Sequence, residues 1–456
     1  MKSEKLRVNS IFLVFHSSLF TLNSFPVQVY DKNRFYTFLR IFWVNPIIKM
    51  SLRQLTVRGE ENLPKDGAII IGSNHTNALL DPLVILRAMN RATVFMTRAD
   101  IFRKPLIRKI FTFLKMLPIF RIRDGIAAVK QNEEIIAKCV KVLKHHIPLA
   151  LFPEATHRPK HSLLPLSKGI FHIALEANKH FGHEQPVYIV PMGLEYGRYF
   201  RYRSGVVATY GKPINVTEFV KQYGEEVTPA KLLSMLREEL SQRMSELIAY
   251  VPDTEDYDAQ WELTKLCTAQ ANPSSVAKRL LLNQSIIKQI VKKKATSPEE
   301  ETAALYADAM EFKKERRLHS IHPSSTSHKH PLVASIGNTI ALLCGLPYYL
   351  FCAITMAPSW LLSHKIVSGL KDKAFSNTAR LGVNLAMKPL LLIIWGIVAF
   401  CTLPTILAIL AFVLLIPAIA FFYDYNAFVL HTWSDWQWTR NKQLHGKLES
   451  LLKRCK

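Results

Sequence analysis

Two stretches of the chain, residues 332–362 and 389–422, contain no Asp, Glu, Lys or Arg, and each carries an internal proline, Pro347 and Pro404. One bilayer crossing takes roughly 20 apolar residues. Each block is too long for one comfortable span and too short for two full ones, so a tight or re-entrant hairpin bent near its proline is expected of each. The flanks carry positive charge: "HSIHPSSTSHKHP" before the first block, "HKIVSGLKDKAFSNTARLG" between them and "TRNKQLHGKLESLLKRCK" after the second. Basic segments tend to stay on the cytoplasmic side. Two hairpins place all three there, whereas single crossings do not.

The remaining composition bounds the class of partner. A chain of 456 residues holds two or three domains, and Lys plus Arg outnumber Asp plus Glu 59 to 35, for a net charge of +24. That balance calls for acidic partners: nucleic acid, anionic lipid, phosphorylated metabolites or an acidic carrier protein. The concentration of apolar residues in the last third favours lipid over nucleic acid. Six cysteines without a CxxC pair give neither a zinc site nor a disulfide framework, which fits a reducing, cytoplasm-facing location. The start, "MKSEKLRVNSIFLVFHSSLF", lacks a small-residue cleavage site and is interrupted by His16, Ser17 and Ser18. It therefore reads as a surface-lying extension rather than a signal peptide.

Periodicity divides the chain into six parts. Residues 1–50 form an N-terminal interfacial segment, in which Phe35, Phe38, Leu39, Phe42 and Trp43 recur at helical spacing among Arg34, Arg40 and Lys49. Residues 51–220 alternate β-rich runs ("GAIIIG", "TVFMT", "LPIFRI", "PLALF", "VYIVPMGLEY", "GVVATYG") with amphipathic helical ones, which predicts an α/β domain with a mostly parallel sheet flanked by helices. Residues 221–318 read as a helical extension and 319–331 as a Ser- and Pro-rich linker. In that linker four histidines at irregular spacing mark a flexible hinge more than a metal site. Residues 332–425 are the membrane-embedded hairpins, and 426–456 a basic tail.

The chemistry-bearing residues sit where the β-rich runs end. "NHTNALLDP" follows "AIIIG", so His75 stands at the carboxyl end of a buried strand, where open α/β sheets place ligand sites. An imidazole there takes a proton from a hydroxyl if a carboxylate fixes its tautomer. Asp81 is the candidate, although Asp before Pro is also a helix start, with Asp81 as N-cap and Pro82 at the first helical position. "LPIFRIRDG" ends with Arg121 and Arg123, and "LFPEATHRPK" with Glu154, His157, Arg158 and Lys160. Guanidinium groups at strand ends suit a phosphate. Taken singly, Arg123 and Lys160 read equally well as surface charges.

Those blocks, with "LSKGIFHIALEA" and "VYIVPMGLEYG", resemble in order and spacing the four blocks of the glycerolipid acyltransferases, over roughly residues 45–215. The resemblance implies that His75 is the general base for an acceptor hydroxyl and Asp81 its partner. It further implies that Arg121, Pro153 and Glu154, with Arg158 as a weaker candidate, help bind the acceptor phosphate, and that Pro191 shapes the acyl site. No cofactor or metal is implied. Acyl-CoA or acyl-carrier protein would be donor, a phosphorylated glycerol the acceptor and membrane lipid the surroundings, with no nucleic acid. Five residues separate His75 from Asp81 where the family usually has four. The longer form looks like the long subgroup, with apolar C-terminal segments, that acts on glycerol 3-phosphate or dihydroxyacetone phosphate. A lysophosphatidate acceptor and a catalytically silent membrane scaffold are the alternatives. The family's usual Gly after Pro-Glu is Ala155 here, which is strained if that position needs φ > 0.

Overall fold

The runs expected to form strands do so in the computed structural model, which describes residues 28–120, 132–182 and 184–455. β2 (Ala68–Ser73), β3 (Val94–Arg98), β4 (Met116–Ile119), β5 (Leu149–Leu151), β6 (Val187–Tyr196) and β7 (Gly205–Tyr210) match the six apolar runs. Two strands escaped the sequence reading: β1 (Gln54–Arg58), a half-buried edge strand, and the two-residue β8 (Ile214–Asn215). The order is β1-β7-β6-β2-β5-β3-β4, with β8 on β6. β2, β3, β4, β5 and β6 run parallel, so their carboxyl ends share one edge. β7 runs antiparallel to β6.

Helices cover both faces, which is why β2 is buried along its whole length. Ile70, Leu143, Phe171 and Leu240 fill one face, and Ile71, Val84, Ile85 and Met192 the other. Leu236 and Leu240 belong to the helix Pro229–Ser245, so the α/β unit continues past residue 220. The helices Tyr257–Gln270, Val276–Thr296 and Glu299–Leu318 complete the extension.

An expectation for the last third is corrected. The linker is not a free hinge: Pro323–Ser327 is a short 3-10 helix, His322 N–H donates to Ser434 Oγ at 2.7 Å, and His328 Nε2 lies 3.2 Å from Asp435 Oδ1. The basic tail is packed as well: the helix Gln443–Cys455 buries Leu444, Leu448 and Leu451 against Leu263 and Phe312 of the extension. In both segments a few apolar or hydroxyl side chains dock on partners far away in sequence, which composition does not reveal.

The apolar blocks form three long helices, Pro331–Ser368, Phe375–Thr402 and Thr405–Arg440, each long and apolar enough to cross a membrane. The hairpin expected at Pro404 is present, but the one expected at Pro347 is not, since the first helix runs through that proline. Proline inside an apolar helix is tolerated when neighbours satisfy the displaced carbonyls. Trp395 Nε1 and Tyr348 OH brace the backbone nearby, donating to the carbonyls of Thr355 at 3.0 Å and Leu414 at 2.8 Å, three residues before Pro358 and Pro417. The first helix has 38 residues and is about 57 Å long. Beyond its carboxyl end Asp372 meets His157 of the α/β domain, and at its amino end Ser335 meets Thr439 beside the docked linker. Both ends of this helix therefore contact folded parts of the chain.

Around the α/β domain, Phe35, Phe38 and Phe42 of the N-terminal helical segment and Leu106 and Ile110 of the helix Pro105–Phe113 remain exposed. Phe35 touches Phe113 at a ring distance of 6.0 Å, so the two elements share one apolar face. This is the face an interfacial segment presents to lipid.

Candidate active site

β2 ends at Ser73, and the next residue closes the strand end onto its neighbour. Asn74 uses its amide as a peptide group would: Nδ2 donates to the Leu194 carbonyl at 3.0 Å and Oδ1 accepts from Leu194 N–H at 2.7 Å. This fixes the chain so that His75 emerges at the carboxyl edge of the sheet.

His75 Nδ1 lies 2.8 Å from Asp81 Oδ2. Because a carboxylate accepts, Nδ1 carries the proton and Nε2 is left as the basic nitrogen. Asp81 is fully buried, and its charge is met by further donors: Thr76 N–H at 2.7 Å and Asn77 N–H at 2.8 Å on Oδ2, and Tyr196 OH at 2.7 Å on Oδ1. Burial, reinforced by the Asp81 charge, pushes the Tyr196 hydroxyl well above its ordinary value, so it stays protonated and donates.

The N-cap expectation for Asp81 is corrected. The helix is Leu80–Met89, capped at Leu79 without a side-chain bond, and Pro82 is its third residue. The carboxylate turns back to the N–H groups of the preceding turn instead. Within the turn between His75 and Asp81, Ala78 takes a left-handed φ of +43°.

Glu154 lies beside the base. Its Oε1 accepts from His75 N–H at 3.0 Å and its Oε2 from Leu164 N–H at 2.9 Å, so both oxygens brace backbone around the base. Burial pushes this carboxyl up, against the opposing pull of those two N–H groups. Both carboxyl oxygens of Glu154 are thus committed to backbone N–H groups. Pro153, next to it, is buried and accepts from Ser167 N–H at 2.7 Å.

Ala155 has φ +56°, a left-handed conformation that glycine adopts freely and alanine does not. Ala155→Gly is expected to raise stability by about 0.5–1 kcal/mol, read as a higher melting temperature of the full chain in detergent.

The His75 ring stacks on Phe152 at 4.1 Å and meets His157 edge-on at 5.5 Å. His157 in turn lies against Phe375 and places Nε2 2.7 Å from Asp372 Oδ2. Asn377 Nδ2 donates to Asn77 Oδ1 at 3.0 Å, and Leu79 N–H to Thr378 Oγ1 at 3.2 Å. Asp372 in the turn between the first two apolar helices, with the first turn of the second, thus clamps the segment that carries the base. Tyr196, Asp372 and Asn377 were all missed by sequence reasoning; only Tyr196 left a trace, as the end of the fourth block.

Of the phosphate candidates, only those after β5 are among the described residues. Arg121 and Arg123 lie outside the described residues; β4, which precedes them, ends on the same edge as His75. Arg158 is engaged, with Nη1 on Asp253 Oδ2 and Nη2 on Ser162 Oγ at 2.8 Å, and Lys160 joins Asp253 at 2.7 Å. These two cations hold the Asp253 carboxyl below its ordinary range. Pro191 pairs in register with Gly72 but faces Gly211, on the sheet face away from Tyr196 and Asp81. Among the described residues no cluster of three His, Cys, Asp or Glu side chains is placed to hold a metal.

Residues 54–195 match the family model described as Acyltransferase. Glycerol-3-phosphate O-acyltransferase 2 of Saccharomyces cerevisiae is 26% identical over 132 residues, covering 26% of this chain and 18% of that protein. A 1-acyl-sn-glycerol-3-phosphate acyltransferase of Cocos nucifera is 29% identical over 165 residues, 36% of this chain and 48% of that one. The match thus spans about half or less of these curated relatives' own length. Among solved structures, the 1-acyl-sn-glycerophosphate (LPA) acyltransferase PlsC from Thermotoga maritima aligns with a TM-score of 0.33 at 18% identity, over 53% of this chain and 92% of that one.

Proposed function

We propose that this chain, whose residues 54–195 form an acyltransferase-family domain, transfers a fatty acyl group from acyl-CoA or acyl-carrier protein to a hydroxyl of glycerol 3-phosphate or dihydroxyacetone phosphate at a membrane surface. The observation that carries this reading is the His75–Asp81 pair, with Nδ1 bonded at 2.8 Å and Nε2 left as the base. Nε2 takes the acceptor hydroxyl proton as the oxygen attacks the thioester carbonyl. The imidazolium, balanced by Asp81, then returns the proton to the departing thiolate as the tetrahedral intermediate collapses. Arg121 remains the candidate for the acceptor phosphate, so that binding energy away from the reacting carbon positions the hydroxyl. The apolar helices let the acylated product pass into lipid. Their basic flanks support a catalytic face on the cytoplasmic side.

The similarity to the Cocos nucifera protein favours one alternative acceptor, 1-acyl-glycerol 3-phosphate. Thiol release by the purified full chain, measured with each acceptor in turn, separates the readings. Release only with the lysolipid moves the assignment to that acceptor, and release with none leaves the silent scaffold.

Asp372→Ala is expected to lower kcat by about tenfold with little change in KM, since it frees the His157 ring that borders the base. Asp372→Asn keeps an acceptor for His157 and should restore most of the loss. A change in KM alone would place Asp372 in binding instead.

A further inference from the structure

The helix Tyr257–Gln270 and the C-terminal helix Gln443–Cys455 are distant in sequence and packed together in the fold. Leu263 and Leu266 of the first join Leu444, Leu448 and Leu451 of the second in one apolar cluster, which also takes in Trp438 near the end of the third apolar helix. Within this contact Cys267 Sγ donates to Cys455 Sγ at 3.3 Å, across 188 positions of chain. Sulfurs in a disulfide stand about 2.05 Å apart, so the two thiols need to approach by only about 1 Å, which small side-chain rotations supply.

The surroundings favour the thiolate that such chemistry needs. Lys293 Nζ donates to the carbonyl of Arg454, the residue before Cys455. The hydrogen bond from Cys267 lowers the Cys455 thiol below its ordinary value against the pull of burial, and the Lys293 charge adds to the lowering. The other four cysteines stand elsewhere. Cys139 is fully buried in the sheet core with Sγ 3.6 Å from Met96 Sδ, and burial pushes its thiol up to about 12. Cys344, Cys352 and Cys401 belong to the first two apolar helices.

We propose that Cys267 and Cys455 are a redox-active pair, a dithiol in reducing surroundings that an oxidant of the disulfide class, such as oxidised glutathione, converts to an intramolecular disulfide. Cys267 is half-buried and Cys455 buried, so Cys267 is the sulfur that the oxidant reaches. Its thiolate attacks one glutathione sulfur and expels the other half as a thiolate; the Cys455 thiolate then attacks the Cys267 sulfur of the mixed disulfide and expels the second glutathione. Two protein thiols are oxidised, one glutathione disulfide is reduced, and both thiol protons pass to the released glutathiones. The new bond staples the last helix to one that also reaches the loop after β5, where Tyr257 OH accepts from His161 N–H at 2.8 Å and the Trp261 ring lies 3.7 Å from that of His161. A cross-link between residues so far apart restrains the unfolded chain, so oxidation raises the melting temperature.

Thiol counting on the folded full chain tests this. A Cys344→Ser, Cys401→Ser background removes the two exposed thiols and leaves four of the six. That chain, in neutral detergent, would be held with oxidised glutathione, denatured without reductant and labelled with N-ethylmaleimide. It should take two labels where the reduced chain takes four, retain no glutathione in its intact mass, and yield a proteolytic fragment that joins the segments around Cys267 and Cys455. Adding Cys267→Ser should abolish that fragment. The oxidised chain should melt about 4 °C or more above the reduced one, and dithiothreitol should reverse the gain. Four labels, glutathione adducts in place of the joined fragment, or a link to Cys139 or Cys352 overturns the proposal, and a Cys267 to Cys455 link that leaves the melting temperature unchanged overturns the staple. If the double-serine background fails to fold, the joined fragment and the melting shift are read in the wild-type chain by the same criteria.

Discussion

His75→Ala is expected to lower kcat for thiol release by about 10²–10⁴-fold, the usual contribution of a positioned general base, with KM for the acceptor little changed. The reasoning is geometric. Nδ1 is committed to Asp81 at 2.8 Å, so the base is Nε2 of one fixed tautomer. The described residues lining the ring offer no equivalent replacement: Phe152 stacks on one face, and His157 stands at the edge with its Nε2 held by Asp372. Stability should fall only slightly, because Asp81 keeps Thr76 N–H, Asn77 N–H and Tyr196 OH as donors. A variant that folds as wild type does and turns over at an undiminished rate would remove the mechanism, while a variant that unfolds would be uninformative without its melting curve. Both measurements on one preparation therefore belong together.

The His75–Asp81 pair was legible in sequence because its two members lie within one turn of chain, after a strand that apolar composition alone identifies. The rest of the site is assembled by topology. Tyr196 reaches Asp81 across 115 positions because β6 lies beside β2 in the sheet, and Glu154 braces His75 across 79 because β5 lies on β2's other side. No periodicity within either segment encodes that neighbourhood. Asp372 is further removed still, 215 positions from His157, in a turn whose charges read simply as a basic flank. The strands were legible for a related reason: a sheet covered on both faces demands continuous apolar runs, and β2 has one. β1 and β8 escaped because an edge strand is half exposed and a two-residue strand has no pattern. Pro347 leaves its helix unbroken, so block length alone did not locate a bend there. The break falls instead at Leu403 and Pro404, between the second and third helices, where the chain leaves helical geometry altogether.

Asp81 carries the largest expected effect on the fold, and two substitutions separate its roles. Asp81→Ala strips the acceptor from four donors in a fully buried position, leaving two backbone N–H groups and a tyrosine hydroxyl without a partner. Removing one side of such a buried charged network costs about 3–5 kcal/mol. Against a total of about 5–15 kcal/mol for an ordinary domain, that is enough to lower the yield of folded chain as well as its melting temperature. Asp81→Asn keeps the shape. Its carbonyl oxygen fits where Oδ2 meets Thr76, Asn77 and His75, and its amide then faces Tyr196, whose hydroxyl can accept instead of donate. Most of the stability should survive, but the negative charge that balances the imidazolium does not. Turnover is then expected to fall by about a hundredfold or more. If the asparagine variant kept wild-type turnover, Asp81 would act only by orienting the ring. If it lost as much stability as the alanine variant, the charge itself would be the support of the turn.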